Sequence, residues 1–205
     1  MVDSIAKCQD AICAANASEC GYVAAFAIDE LERLEQHERG PNGHHPLAYY
    51  AVHKIMAGLL DTYEQTQNTR AWDVLLKMAT FFKARIDALI ADRGIAWWEK
   101  CLSIEFGGMN EVAYNIYAIT GNEEHRQLGD LFYKASFMDP IARSEEYALT
   151  SFHANTHLPE IVGIARGWET TGNATLHYIT TQFMRILTAH YTYAATGGSN
   201  VEEHW

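Results

Sequence analysis

Basic residues are scarce in this chain. Its 205 residues include 15 Lys and Arg against 26 Asp and Glu, which gives a formal net charge of −11. The few basic residues are scattered and form no stripe, whereas a surface that binds nucleic acid or an anionic membrane needs clustered positive charge. We therefore expect neither a nucleic-acid partner nor a membrane partner.

Long apolar runs are also missing. No run approaches the roughly 20 residues that cross a bilayer, and residues 1–7 lack the charged-then-apolar order of a signal peptide. The hydrophobic content of 48% is enough for a core of ordinary size. These features predict one folded domain over residues 1–205, with a cytoplasmic location by default.

The four cysteines lack the Cys-x-x-Cys spacing of zinc ribbons and thioredoxin-like sites. Cys8, Cys13, Cys20 and Cys101 are therefore interpreted as mostly free thiols. A metal site formed by Cys8, Cys13 and Cys20 is the alternative.

Strand signals are nearly absent, because the β-branched and aromatic residues fall at helical spacing and do not alternate. Instead, the sequence repeats a unit of apolar-periodic helix, Thr-x-Asn turn and second helix. The turn asparagines, Asn68, Asn122 and Asn173, are 54 and 51 residues apart. Such a period indicates stacked helical hairpins, and the fold is predicted to be all-α.

Each turn has a direct physical interpretation. Gly121 and Gly172 can end a helix in the left-handed conformation, and Asn122 and Asn173 can cap the helix that follows. The first helices are predicted to form an inner layer, and the second helices, such as residues 72–82, an outer one. Irregular segments are expected at 40–46, 92–94 and 138–140.

The N-terminal ends of the three first helices should meet at a common mouth. Hydrogen-bonding residues are concentrated at all three ends, in 49–54, 107–111 and 153–157. Such groups suit the hydroxyls of a neutral polyol, and an aromatic face can cover a sugar ring. The sequence therefore predicts a carbohydrate pocket that includes Tyr49, His53, Asn110, Glu111, His153, Asn155 and His157.

Other interpretations of these ends are weaker. His153 and His157 have the spacing of zinc-binding histidines but lack the intervening glutamate of that motif, and Ser151 lacks the surroundings of a nucleophile elbow. Asn110 and Glu111 could instead be a helix cap and a first-turn acid. No metal-binding residue is predicted.

Residues 195–205 contain the best catalytic candidates. A Thr-Gly-Gly loop at 196–198 lets the backbone approach a ligand closely, and Glu202, Glu203 and Trp205 follow it. An acid can protonate a leaving oxygen, and an indole face can hold a sugar ring. Adjacent carboxylates usually point in different directions, so one glutamate is expected to act while the other is solvated.

Four stretches of the chain together carry a family resemblance. They are 48–61 (AYYAVHKIMAGLLD), 105–112 (EFGGMNEV), 153–159 (HANTHLP) and 191–205. In this order they resemble glycoside hydrolase family 127, the β-L-arabinofuranosidase type. The resemblance implies an (α/α)6 barrel of helical hairpins, of which about four fit in this chain. It also implies a carbohydrate partner, such as a plant-type arabinose-containing glycan.

The resemblance further implies residue roles. Hydrolases of the family remove terminal β-L-arabinofuranosyl units with retention, using a glutamate as general acid/base and a zinc-bound cysteine thiolate as nucleophile. The glutamate matches Glu203, because an aromatic residue, Trp205, lies two positions later; Glu202 is the alternative. His53, His153 and Asn155 would hold sugar hydroxyls.

One part of the family pattern has no counterpart here. The zinc site of the family, one glutamate and three cysteines, lies downstream of the acid/base glutamate, and no residue of this chain matches it. We therefore expect no cofactor in this chain and zinc only in the complete family domain. We also expect a chain that is truncated at its C-terminal side, inactive alone, and self-associating through the open barrel edge.

Two alternative functions stay open. One is a non-catalytic carbohydrate-binding or scaffold protein on the same barrel. The other is a sugar epimerase or unsaturated-glycoside hydrolase of the α/α-barrel type, in which paired histidines act as acid and base; the chain has 10 histidines. The Thr-Gly-Gly-x-x-x-Glu tail argues against the epimerase.

Overall fold

Helices make up nearly all of the regular structure. The computed structural model describes residues 1–205 and contains ten α-helices and no β-strand, which confirms the all-α prediction. The helices are α1 (Val2–Ala15), α2 (Ile28–Glu35), α3 (Ala48–Thr66), α4 (Thr69–Arg93), α5 (Ile95–Cys101), α6 (Met109–Thr120), α7 (Glu123–Leu131), α8 (Ala135–Ala142), α9 (Ala154–Thr171) and α10 (Ala174–Ile186). A short π-helical stretch, Leu187–Tyr191, follows α10.

The three repeated turns have the predicted geometry. Gly121 and Gly172 end α6 and α9 in the left-handed conformation, with φ of 65° and 69°. Gln67 takes the same conformation after α3, although a residue with a Cβ does so at a cost. In each turn the asparagine side chain then accepts a hydrogen bond from a backbone N–H in the first turn of the next helix. The hairpins α3–α4, α6–α7 and α9–α10 therefore follow from the sequence repeat.

The hairpins stack in two layers. The first helices pack side by side, α3 against α6 and α6 against α9, while the second helices α4 and α7 pack against each other. At one end α2 contacts α3 and α1 contacts α4, so these helices extend both layers. The N-terminal ends of α3, α6 and α9 come from the three polar segments of the sequence.

Small residues allow α6 and α9 to approach closely. Gly163 of α9 lies directly against the carboxamide of Asn110, and Gly167 lies against the ring of Tyr114. Asn110 is buried, and its Nδ2 donates to the carbonyl oxygen of Glu160 at 2.9 Å. This contact fixes the position of α9 relative to α6 next to the polar end of both helices.

The buried apolar side chains form two clusters. The larger cluster comes from α1 to α7 and the residues between them, up to Phe132. The smaller cluster comes from α8, α9, α10 and the loop before α9, and Trp205 packs against it. None of the ten helices offers a stretch that is long and apolar enough to cross a bilayer.

The interpretation of the cysteines as mostly free thiols is wrong for one pair. Cys13 and Cys20 form a disulfide, while Cys8 and Cys101 are free. The reason is local: α1 ends at Ala15 and the chain reverses through a short 3-10 segment, so that the two Cα atoms are 4.1 Å apart. The disulfide also removes two of the three thiols of the alternative metal site.

The break expected at 138–140 is also wrong. These residues lie inside α8, with Pro140 in its last turn. A proline removes a backbone hydrogen bond from a helix, but the neighbours Phe137, Met138 and Ile141 are fully buried and α8 packs against α10. Burial of these side chains outweighs the lost bond. The irregular segment at 40–46 is present as predicted. Of the break expected at 92–94 only Gly94 lies outside a helix, because α4 continues to Arg93.

Gly163→Ala should lower the free energy of unfolding by about 1–3 kcal/mol, because the new methyl group would overlap the Asn110 side chain and push α9 away from α6. Gly58→Ala is the matched control. Gly58 lies within α3 and an added Cβ would meet nothing within 4 Å, so alanine should stabilise the helix by about 0.5–1 kcal/mol. Urea denaturation followed by circular dichroism measures both, and equal effects would contradict the proposed close packing.

Candidate functional site

The end of the chain is bound to the segment that starts α9. The backbone N–H of Ala154 donates to the carbonyl oxygen of Glu203 at 2.7 Å, and the N–H of Trp205 donates to that of Phe152 at 3.1 Å. An isolated antiparallel bridge lies between these two bonds. The catalytic candidates of the tail are thereby held at the N-terminal end of an inner helix.

The tail backbone separates the two adjacent glutamates. Glu202 and Glu203 both have positive φ, 49° and 66°, a conformation that residues with a Cβ adopt at a cost. As a result Glu203 directs its carboxylate to His153, with 3.0 Å between Oε2 and Nε2. Glu202 is exposed, and only its backbone oxygen is bonded, by His204 Nδ1 at 2.9 Å.

A chain of hydrogen bonds continues inward from this contact. His153 Nδ1 is 2.5 Å from the hydroxyl of Thr156, and that hydroxyl donates to Glu105 Oε1 at 2.7 Å. The Glu203 side chain is 74% exposed, whereas the His153 and Glu105 side chains are 25% and 31% exposed. This series of hydrogen bonds therefore leads from the solvent-accessible carboxylate of Glu203 to the mostly covered carboxylate of Glu105.

The directions of these hydrogen bonds determine which atoms carry the protons. Because the Thr156 hydroxyl donates to Glu105, it accepts the proton of His153 Nδ1, and Nε2 is left to face Glu203. A neutral imidazole then accepts a proton from the carboxylic acid of Glu203, and an imidazolium donates to its carboxylate. When the pair holds one proton, Glu203 and His153 share it, and in this form Glu203 can act as an acid; loss of that proton leaves the carboxylate that can act as a base.

A second cluster of polar side chains lies on the core side of these hydrogen bonds. Lys134 Nζ donates to His157 Nε2 at 2.8 Å, and His157 Nδ1 donates to the carbonyl oxygen of His153 at 2.7 Å. Glu160 is completely buried 4.0 Å from Lys134 Nζ, and neither of its carboxylate oxygens has a hydrogen-bond partner. Burial raises the pKa of Glu160 and lowers that of Lys134, because each loses hydration as a charged group.

Aromatic rings enclose this group on the core side. The His157 ring lies between Phe137 and Phe152, with centroid distances of 4.4 and 4.8 Å. The Trp205 indole stacks on Phe137 at 6.2 Å and meets the edge of Phe183 at 5.7 Å. Trp205 therefore anchors the tail to the smaller core cluster, while its side chain stays partly exposed and its Nε1 donates to Ser199 Oγ at 3.3 Å.

The polar end of α6 has its own arrangement. His53 and Glu111 both approach Gly108, where a Cβ would make tight contacts with them, and a Cβ at Gly107 would collide with the His53 ring. Burial, followed by the positive charge of Lys54, lowers the pKa of His53 from 6.5 to about 4, and its buried Nδ1 has no hydrogen-bond partner. Burial raises the pKa of Glu111.

The predicted site residues thus fall into three groups. Glu203 and His153 are in direct contact, and the exposed Asn155 follows one residue into α9. His53 and Glu111 adjoin the Gly107–Gly108 turn. The third group is buried and consists of Asn110, His157 and Tyr49, whose hydroxyl donates to Glu35 at 2.9 Å within the larger core cluster. Trp205 is partly exposed, and the exposed Glu202 lies outside these groups.

The predicted site residues did not include Glu105, Thr156, Lys134 and Glu160. A signal existed for the residues of α9, since positions 153, 156, 157 and 160 follow helical spacing and share one face. Glu105 is the first residue of the Glu-Phe-Gly-Gly segment, and the prediction used that segment only as the N-terminal end of a helix. Nothing local marks Lys134, because its partners are 23 and 26 residues away in sequence.

The side chains of residues 1–205 do not form a site for a zinc-bound thiolate. No group of three or more His, Cys, Asp and Glu side chains is placed to hold a metal ion. Cys101 is buried beside His37, at 3.5 Å, and burial raises the pKa of its thiol to about 12. The residues present therefore do not fit the zinc group that the resemblance implies.

The sequence of the chain can be compared with known proteins. A family model described as "Beta-L-arabinofuranosidase, GH127 catalytic domain" matches residues 1–205, and a search of curated proteins finds no match. The class of protein is thus a glycoside hydrolase catalytic domain of the (α/α)6 barrel type. The chain belongs to glycoside hydrolase family 127.

The stability of the folded chain should depend on the charge state of His157. Burial, and then the charge of Lys134, lowers the pKa of this histidine from 6.5 to about 4. Between these values the unfolded chain binds more protons than the folded chain, so stability is lost as the pH falls. We expect this group to account for a loss of about 2 kcal/mol in the free energy of unfolding from pH 7 to pH 5.

Urea denaturation of the wild type and of His157→Asn at both pH values measures this contribution. The asparagine does not titrate, so the variant should lose about 2 kcal/mol less than the wild type over the same pH change. His53 is unchanged in both proteins, and its own pH dependence cancels in the comparison. An equally steep loss in the variant would show that His157 is not held neutral in the folded chain.

Proposed function

We propose that this chain supplies the general acid/base of a retaining β-L-arabinofuranosidase, and that Glu203 is that residue. The carrying observation is the 3.0 Å contact between Glu203 Oε2 and His153 Nε2, on a tail that backbone hydrogen bonds hold against α9. The family match supports the class of reaction. Glu202 lacks a comparable partner, which supports Glu203 over its neighbour.

The proposed role follows from the shared proton. In its acid form Glu203 gives its proton to the glycosidic oxygen as the bond to the leaving group breaks. The resulting carboxylate then takes a proton from the water that releases the sugar. His153 stays neutral in both steps, and its Nε2 accepts the hydrogen bond of Glu203 when that residue is in its acid form.

The sugar-binding residues are proposed from their positions relative to Glu203. Asn155 and His153 adjoin Glu203 at the start of α9, where hydroxyl groups of a sugar next to the scissile bond would lie. His53 and Glu111 are proposed for a more distant hydroxyl, because both adjoin the Gly107–Gly108 turn and the half-buried Glu111 carboxyl can form further hydrogen bonds. The substrate is proposed to end in a β-L-arabinofuranosyl unit.

The nucleophile is the component that these residues do not provide. None of the four cysteines contacts Glu203 or His153, and no metal-binding cluster is present. Zinc and a cysteine nucleophile are therefore proposed only for the complete family domain. We expect no hydrolysis of a chromogenic β-L-arabinofuranoside by residues 1–205, with or without added zinc.

Glu203→Gln and Glu202→Gln form a matched pair for testing the acid/base assignment. Each removes one acid and keeps the shape of the side chain. In the gene product that hydrolyses the chromogenic arabinofuranoside, Glu203→Gln should lower kcat/KM by about 10²–10⁴-fold, which is the usual contribution of a general acid/base. Glu202→Gln should leave it within about threefold. A larger loss in Glu202→Gln would transfer the role to that residue.

The second candidate is a carbohydrate-binding protein that performs no hydrolysis. The observation in its favour is the missing nucleophile around Glu203. Calorimetric titration of the chain with L-arabinose and with an arabinofuranosyl disaccharide tests binding separately from turnover. Binding that Glu203→Gln leaves intact, together with no turnover in any form of the gene product, would favour this candidate over the hydrolase.

We also propose that the chain associates with itself through an apolar face of α9. Leu158 and Val162 lie one helical turn apart, so they share a face, and they are 41% and 50% exposed. Light scattering at increasing concentration should show a rising mean mass for the wild type and a lower one for Leu158→Ser with Val162→Ser. A stable wild-type monomer at high concentration would refute self-association.

A further inference from the structure

Glu105 lies three hydrogen bonds behind the proposed acid/base, and nothing in the proposed reaction uses it. Its Oε1 accepts from the Thr156 hydroxyl at 2.7 Å and lies 3.4 Å from His153 Nδ1. It belongs to the segment between α5 and α6, whereas Thr156 belongs to α9. The contact therefore spans 51 residues and depends on the packing of the inner helices.

We propose that Glu105 is a positioning residue for Glu203 and acts through Thr156 and His153. The carboxylate fixes the Thr156 hydroxyl as a donor, and that hydroxyl can then only accept from His153 Nδ1. The proton of the neutral ring is thereby kept on Nδ1, and Nε2 is presented to Glu203. This inference rests on the proposed function for its catalytic meaning, but the tautomer of His153 can be measured without it.

The charged groups around Glu105 favour this arrangement. The Lys134 ammonium lies close enough for the Glu105 charge to raise its pKa against the lowering effect of burial, so the two attract each other. Glu160 and His157 surround the same lysine. On the solvent side the His204 ring lies 5.3 Å from the His153 ring. Glu105 is the only carboxylate that is hydrogen-bonded to the Thr156 hydroxyl.

A purely structural role for Glu105 would be to fasten the segment before α6 to α9. That role and the positioning role make different predictions for the His153 ring. Loss of a structural tie would lower stability and leave the preferred tautomer unchanged. Loss of the positioning contact would release the Nδ1 proton and allow the alternative tautomer, in which Nε2 carries the proton and faces Glu203 as a donor.

The test is long-range ¹H–¹⁵N NMR of the histidine ring nitrogens in the 205-residue chain, at a pH where His153 is neutral. The His153 signals are assigned with a His153→Gln variant. In Glu105→Ala the ratio of the Nδ1–H to the Nε2–H tautomer should fall about tenfold, the effect of losing roughly one hydrogen bond. Glu105→Gln should restore the ratio, because its amide oxygen can still accept from the Thr156 hydroxyl.

Thr156 offers a second pair, which keeps the test decisive if Glu105→Ala does not fold. Thr156→Val removes the hydroxyl at nearly constant volume and should shift the tautomer ratio as Glu105→Ala does, whereas Thr156→Ser keeps the hydroxyl and should behave as the wild type. An unchanged ratio in both Glu105→Ala and Thr156→Val overturns the proposal. A shifted ratio combined with full hydrolytic activity of Glu203→Gln would instead refute the proposed function and leave the positioning contact established.

Discussion

The backbone pairing between the tail and the first residues of α9 determines the rest of the site. The bonds from Ala154 to Glu203 and from Trp205 to Phe152 place a solvent-exposed carboxylate at the end of an inner helix. Without them, two consecutive glutamates in a left-handed conformation would have no compensation for their strain. The Trp205 indole adds an apolar anchor in the smaller core cluster, so the position of Glu203 is tied to the packing of α8, α9 and α10.

Polar residues at this end of the fold are arranged in two levels with different physical character. The upper level is the accessible series of hydrogen bonds from Glu203 to Glu105. The lower level, formed by Lys134, His157 and Glu160, holds ionisable groups with little access to water, and its His157 ring lies between two aromatic rings. Burial of these ionisable groups lowers the stability of the fold, and groups perturbed in this way cluster at functional sites.

Much of the fold could be predicted from the sequence, because helices and their ends depend on residues close together in the chain. The left-handed glycines, Gly121 and Gly172, and the capping asparagines gave the hairpins correctly, and their spacing gave the stacking. The prediction failed where longer-range contacts outweighed a local signal. Pro140 is tolerated because α8 is buried against α10, and the disulfide depends on how the chain reverses after α1. Neither is visible in local spacing.

The sequence by itself determined the helical repeat, the polar ends of the inner helices and the presence of a glutamate in a glycine-containing tail. Each of these features depends only on residues that are close together in the chain. Only the tertiary structure decided which polar residues meet. Glu203 and His153 are 50 positions apart, as are Asn110 and Glu160, and Tyr49 and His157 turned inward because burial of their rings exceeded the benefit of exposure. Helical periodicity specifies a face, but the neighbour of that face is chosen by the close packing of the whole chain.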